Sequence, residues 1–386
     1  MADFVGSDQV RAPGTTPLIS VVMPTYNGER FLQPAIESIL SQSFRDFELL
    51  VMDDGSTDRT PDILREFAAR DGRIIVLTNL HNLGIAAATN RGLAAARGEY
   101  VALQDHDDIS LPHRFQKELD FLRSHPDIAL VGSAATLIDE SGYAYGEFPL
   151  PCGEIDIKWR LLFFGDAFHY TSIMVRRDAL LEIGGYGENP AFRFAEAYDP
   201  FSRLAMRYHV ANVPERLVLW RRHRRATSLQ HEQEQIRSGI AISKRNMCEL
   251  ATFRDGNLDL RVEGLKAFAL MPAGELPSLP AQQVILGLEF IRELQRNFYR
   301  AHGFSRPAIA EHRRQLNWCW GKHAVALSVR APWRLRDRLR MFALGARCLW
   351  SWTCAGLMSL GARTREKDRI TAPTIKVFAT PSEHAT

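Results

Sequence analysis

At 386 residues, with 46% apolar and 24% charged positions, the chain exceeds a usual single domain and can bury a substantial core. Met1 to Pro17 is polar and lacks an apolar h-region, so no secretory signal is expected and the segment predicts a disordered leader. The five cysteines (Cys152, Cys248, Cys319, Cys348, Cys354) are odd in number and form no CxxC pair. That argues against structural zinc and for a reduced, cytoplasmic chain. The formal charge of +3 excludes little, but the last third is basic and rich in tryptophan.

From Ile19 to about Val131, apolar runs alternate with helical patterns. Ile19 to Met23 predicts a buried strand, followed by the turn Pro24-Thr-Tyr-Asn-Gly28. Phe31, Leu32, Ile36, Ile39 and Leu40 then share one face of a helix. Phe47 to Met52 predicts a second strand, ending in Asp53-Asp54-Gly55-Ser56. Thr57 or Asp58 suits the cap of the next helix, through Ile63, Leu64 and Phe67. Arg73 to Leu77 reads as a strand, Ile85 to Ala96 as an alanine-rich helix and Tyr100 to Leu103 as a fourth strand. A helix over Pro112 to Ser124 and a strand over Ile128 to Val131 complete the series. This rhythm predicts an α/β fold, a mostly parallel sheet with helices on both faces, which binds ligands at the carboxyl ends of its strands.

Further on, Thr136 to Tyr145 predicts a hairpin around Asp139-Glu-Ser-Gly142, and Gly153 to Asp199 reads as irregular, with Gly184-Gly185 forcing a turn. Ser202 to Tyr208 continues a helix, and Val213 to Trp220 is a last strand before Arg221-Arg-His223-Arg-Arg225. The domain reading is a leader over 1–17, an α/β domain over 18–230 and a helical extension over 231–386.

Chemistry concentrates at the ends of two strands expected to be adjacent in the sheet. Asp105-His106-Asp107-Asp108 follows the fourth strand, and crowded carboxylates there repel unless a cation or a sugar hydroxyl lies between them. Magnesium and manganese are usually held by one or two carboxylates plus substrate phosphates. The bland alternative is a solvated acidic turn opening a helix. Upstream, Asp54 can accept hydrogen bonds from a pyrimidine N–H, and Tyr26 offers a flat face to a base. The second cluster would then lie near a diphosphate and hold a divalent ion that neutralises a departing nucleoside diphosphate. No GxxxxGK[ST] loop is present, so phosphate binding would rest on the metal and basic side chains.

Residues 18 to about 230 resemble the family 2 inverting glycosyltransferases of GT-A fold, particularly bacterial enzymes of surface-polysaccharide assembly. The resemblance is carried by Ser20-Val-Val-Met-Pro-Thr-Tyr-Asn27, Val51-Met-Asp-Asp-Gly-Ser-Thr-Asp58, Asn82-Leu-Gly-Ile85, Asn90-Arg-Gly92, Gly98-Glu-Tyr100 and the DxD-type Asp105-His-Asp107. Gly184-Gly-Tyr186, Ala195-Glu196 with Tyr198-Asp199, and Arg221-Arg-His223 complete it. It implies that Pro24, Tyr26 and Asp54 line the nucleotide base with Asp53 beside them, and that Asn82 and Gly84 shape the donor pocket. Asp105 would contact the ribose or a metal-bound water, Asp107 would ligate Mn2+ or Mg2+, and His223 would close over the metal and diphosphate. His169 would lie on an acceptor-side strand. The implied partners are a nucleotide-sugar donor, a UDP-sugar by preference, and a glycan or lipid-linked acceptor.

An inverting transfer needs a base within hydrogen-bond reach of the acceptor hydroxyl. The resembled family takes it from an acidic pair whose second member is favoured; here that position is Ala197, which cannot accept a proton. Glu196 is the expected replacement, and Asp199 is expected to face elsewhere or to cap the following helix. The alternative is a catalytically impaired nucleotide-sugar-binding or scaffold subunit. A sugar-1-phosphate nucleotidyltransferase shares a similar sheet but would carry a glycine-rich signature near its start, and Pro24-Thr-Tyr-Asn-Gly28 is not one.

In the tail, a helix from Trp333 at about 100° per residue sets Leu335, Leu339, Phe342, Ala346, Leu349 and Trp350 on one side and Arg336, Arg340 and Arg347 on another. That is an interfacial pattern; packing of the apolar stripe on the protein itself is the alternative. Cys348 to Ala362 is uncharged but shorter than the roughly 20 residues a spanning helix needs. The expectation is peripheral association with the inner face of the plasma membrane. Nucleic acid is not expected, because no recognition motif accompanies the basic residues.

Overall fold

The structure, a computed structural model, describes residues 16–163, 165, 167–250, 260–262, 280–330 and 334–359. Most of the expected leader therefore lies outside the described residues. The chain forms two compact units, Met1–Asn246 and Met247–Thr386.

In the first unit the predicted alternation appears as β1 (Ile19–Thr25), α1 (Leu32–Leu40), β2 (Phe47–Asp53), α2 (Thr60–Arg70), β3 (Ile74–Thr78), α3 (Ile85–Ala95) and β4 (Tyr100–Leu103). Every residue of β1, β2 and β4 is buried, as expected for parallel strands covered on both faces. The strands run parallel in the order β3-β2-β1-β4. Helix α3 lies so close to the sheet that a Cβ on Gly92 would meet Met52 Sδ at 2.6 Å and Val22 at 2.9 Å. Buried Glu48 is satisfied by Ser20 Oγ at 2.7 Å and by Arg97, whose Nη2 donates at 2.6 Å. This knot ties β1, β2 and the start of β4 together.

The strand order reverses at β1, since β2 and β3 lie to one side and β4 to the other. The two acidic clusters were read as ends of adjacent strands. That is corrected: β1 runs between them, because successive crossovers place β2 and β4 on opposite flanks of it. The separation is two strand spacings, roughly 10 Å, and the tip of β1 fills the gap.

Beyond β4 come β5 (Ile109–Ser110), α4 (Arg114–Ser124), β6 (Ile128–Ile138) and β7 (Ala144–Phe148). Gly153 to Asp199, expected to be irregular, instead contains α5 (Glu154–Phe163), a 3-10 turn (Tyr170–Ser172), β8 (Met174–Arg176) and α6 (Arg177–Glu182). These elements are short and buried on several sides, so they lack a clean amphipathic period; Ile157, Leu161, Leu162 and Phe163 of α5 are all fully buried. The unit closes with α7 (Tyr198–Arg207), β9 (His209–Arg221), α8 (Thr227–Gln230) and α9 (Glu232–Leu250). β8 joins β4 and β6 antiparallel, β9 runs parallel to β6, and β5 pairs antiparallel with the end of β9. This mixed half carries the chain after β4 back to the tip of β9.

In the second unit the described helices are α10 (Ala281–His302), α11 (Arg306–Arg330) and α12 (Leu335–Ser359). Gly303, left-handed at φ 60°, ends α10, and Tyr299 Oη lies 2.9 Å from His312 Nδ1 across the turn. Among the described residues no helix is long and apolar enough to cross a membrane.

Candidate active site

The β1 and β2 tips are stitched through backbone amides. Asn27, at φ 50°, receives Thr57 N on its Oδ1 at 2.9 Å while its own N–H donates to Ser56 Oγ at 2.9 Å. Asp53, almost fully buried, accepts Ser56 N at 3.1 Å. Asp54 accepts Asn79 Nδ2 at 2.6 Å, Leu83 N at 3.0 Å and Gly84 N at 2.9 Å, so its carboxylate organises the segment 79–84. That segment crosses Gly55, where a Cβ would come within 2.7 Å of the His81 backbone. Only a glycine allows the approach. Pro24 is buried in β1, whereas Tyr26 is 43% exposed, and Asn82 is exposed on the 79–84 loop.

At the β4 tip, ligand oxygens of Asp105, Asp107 and Asp108 lie within 4.8 Å of one another. Thr171, delivered by the 3-10 turn, donates its hydroxyl to Asp108 Oδ2 at 2.6 Å and accepts Asp105 N at 3.1 Å. From β9, Arg221 N donates to Asp108 Oδ1 at 2.8 Å and Arg221 Nε to the Asp107 carbonyl at 2.9 Å. His223 Nε2 lies 2.8 Å from Asp107 Oδ2. Burial, then the Asp107 charge, raises the Asp105 carboxyl to about 8. Burial with Asp107 and Asp105 pushes Asp108 well above the usual carboxylate range. Burial also opposes ionisation of Asp107, yet the His223 hydrogen bond and nearby His106 hold it below that range. Hard oxygen donors under mutual repulsion fit a magnesium- or manganese-type ion, and Asp105, Asp107 and Asp108 are the residues that would hold it.

His169, expected on a strand, instead precedes the 3-10 turn, five residues before β8; its Nε2 lies 3.8 Å from Asp108 Oδ2 and its ring 4.7 Å from that of Trp220. Burial, with Arg114 nearby, depresses it to about 3, so the imidazole is neutral.

Glu196 lies on the segment entering α7, with burial raising its pKa and the Phe194 and Glu196 backbone N–H groups lowering it. Phe194 holds φ 68° and stacks on His231 at 3.9 Å between ring centroids, 8° from parallel. Tyr170 Oη lies 3.3 Å from Thr89 Oγ1, and its pKa is raised by burial first, then by the Asp105 and Glu196 charges. Ala197 packs against the apolar core. Asp199 is committed elsewhere: despite burial, Arg203 (Nη2 at 2.5 Å) and Arg245 hold its carboxyl below the usual range.

Sequence reasoning placed Asp108 in the acidic cluster and Arg221 in the closing basic motif without giving either its contacts, and it missed the positioning contributions of Thr171 and Arg114. Arg114, fully buried, donates to the Leu103 and Ile173 carbonyls, both at 3.0 Å, and to Glu118. A signal existed for it: Arg114 and Glu118 are spaced i, i+4 on the face that also carries Phe115, Leu119 and Leu122.

A mostly parallel sheet flanked by helices, with an acidic turn at the carboxyl end of β4, is the architecture of the GT-A glycosyltransferases. S. aureus TarS (residues 1–349, in complex with UDP-GlcNAc) shares the fold at a TM-score of 0.50 and 13% identity, over 86% of this chain and 91% of that one. Residues 20–184 match the family described as Glycosyl transferase family 2. An uncharacterized glycosyltransferase of Haemophilus influenzae is 33% identical over 242 residues, 60% of this chain and 73% of that protein. The putative teichuronic acid biosynthesis glycosyltransferase TuaG of Bacillus subtilis is 40% identical over 106 residues, 28% of this chain and 42% of that protein. The chain belongs to glycosyl transferase family 2.

Proposed function

We propose that the protein transfers a sugar from a nucleotide-sugar donor, a UDP-sugar by preference, to a hydroxyl of a glycan or lipid-linked acceptor, with inversion. The convergence of three carboxylates at the β4 tip carries this reading. The UDP-GlcNAc bound by TarS and the teichuronic acid assignment of TuaG support a donor of that class and a surface-polysaccharide acceptor.

In this reading Tyr26 lies under the base, and Asp54 shapes the donor pocket through the 79–84 loop, with Asn82 and Gly84 lining it. Asp53 fixes the turn beneath. A divalent cation held by Asp105, Asp107 and Asp108, with His223 against Asp107, supplies charge neutralisation for the leaving diphosphate. Glu196 takes the acceptor hydroxyl proton as that oxygen bonds to the anomeric carbon. The bond from that carbon to the diphosphate oxygen breaks, and its electron pair leaves with the nucleoside diphosphate. His169, neutral behind the turn, sits on the acceptor side.

A screen of nucleotide sugars with manganese tests this through nucleoside-diphosphate release, for the native chain and for Glu196→Gln and Ala197→Asp. Release abolished in Glu196→Gln supports Glu196 as base; unchanged release removes it. The second reading, a nucleotide-sugar-binding subunit, is favoured by Ala197 alone. It requires thermal stabilisation by a donor with no release in the native chain and recovery in Ala197→Asp.

A further inference from the structure

We infer that the outward stripe of α12 docks on an anionic lipid bilayer. A helix normally packs through its apolar stripe, but α12 does not. Leu335, Leu339 and Phe342 are 69%, 60% and 50% exposed, whereas Met341 and Leu344 are 0% and 6% exposed. On a wheel of about 100° per residue, Met341, Leu344 and Gly345 form the buried side. Phe342, Leu335, Ala346 and Leu339 fall together on the far side. The helix thus packs through one apolar face and presents a second.

Single exposed leucines are ordinary, but this stripe is continuous and has a basic flank. Arg336, Arg340 and Arg347 lie beside it on the wheel, and all three are exposed, as is Arg334 at the helix start. Arg340 also holds Glu289 at 2.9 Å, with both side chains about half exposed. Apolar residues at the centre and arginines at the edge match the boundary between acyl chains and anionic headgroups. A second copy fits less well, since an antiparallel two-fold contact centred on the stripe would bring the two basic flanks together, and a parallel one would leave both flanks unneutralised. Nucleic acid would satisfy the arginines and leave the stripe in water. The surface therefore selects a bilayer, with α12 lying on it.

Flotation of the full-length chain with phosphatidylcholine vesicles, with and without phosphatidylglycerol, tests the inference. Binding is expected only with phosphatidylglycerol and should weaken with salt. Leu335→Ser, Leu339→Ser and Phe342→Ser together should cut partitioning at least tenfold with the melting curve unchanged. Arg336→Gln with Arg347→Gln should cut it about 25-fold, at about fivefold per arginine. Three results would each overturn it: no flotation of the native chain, equal flotation of the triple variant, or a native dimer by light scattering that the triple variant splits. Nucleoside-diphosphate release in vesicle-free solution is measured in parallel, so a failure here is separable from a failure of the transferase reading.

Discussion

His223 and Asp107 lie 116 positions apart in the chain, yet His223 Nε2 sits 2.8 Å from Asp107 Oδ2. The contact depends on β5, whose two residues pair with Leu219 and Val218 of β9 and so bring the strand end to the acidic turn. The ring is also braced by Phe31, 4.8 Å away between centroids. His223→Ala is expected to weaken manganese affinity about 10–100-fold, the usual effect of losing a partner to a ligating carboxylate. Calorimetric titration with nucleoside diphosphate present measures it, and His223→Gln should fall between the two.

Glu196→Gln should lower kcat by about 10²–10⁴ while leaving the donor KM nearly unchanged, because the base acts on the acceptor proton. The pH profile gives an independent check. Burial raises the Glu196 carboxyl above the ordinary glutamate value of 4.5. The base works ionised, so kcat/KM should rise with pH through that raised pKa and fall about tenfold per unit below it. In Glu196→Gln this acid limb should vanish from any residual activity.

The stack of Phe194 on His231 should hold the base in place. Phe194 is a non-glycine residue at φ 68°, a conformation that persists only when neighbours enforce it. Its segment is also held by Ser238 Oγ, which donates to the Arg193 carbonyl at 2.5 Å. Removing the stack with His231→Ala forfeits about 0.5–1.5 kcal/mol of ring contact. Steady-state kinetics should show kcat down severalfold with donor KM unmoved; a change in donor KM alone would count against this role.

Asp54→Ala should damage donor binding and stability together. Three donors on Asn79, Leu83 and Gly84 lose their acceptor, at a cost of about 2–3 kcal/mol if the loop rearranges to recover part of the loss. Urea denaturation reads the stability term, and donor KM reads the pocket.

Much of the fold was legible because the strands β1, β2 and β4 are buried on both faces and read as unbroken apolar runs, while α1 and α2 show helical apolar spacing. The region from Gly153 to Asp199 was not legible. There α5 buries residues all round and β8 has three residues, so no periodic signal distinguishes them from loop. At the site, the carboxylates announced themselves by chemistry and crowding. Thr171 and Arg221 did not, since a threonine and an arginine carry no mark of what they will bond. In the tail, the sequence separated an apolar from a basic side but could not say which side packs; Met341 and Leu344, rather than Leu335 and Leu339, turn inward, and the side chains of Leu349 and Trp350 lie outside the described residues.

The sequence alone determined the residue chemistry of the centre: hard oxygen donors after a buried strand, an alanine where a base is usual with Glu196 beside it, and the alternation that makes a parallel sheet. These are local properties, set by side-chain type and by the period of burial. The tertiary structure decided that β1 separates the two acidic clusters, that Thr171 reaches Asp108, and that β9 returns His223 to Asp107. Strand order and register depend on pairing between distant segments, and neither composition nor period encodes which segment will arrive beside which.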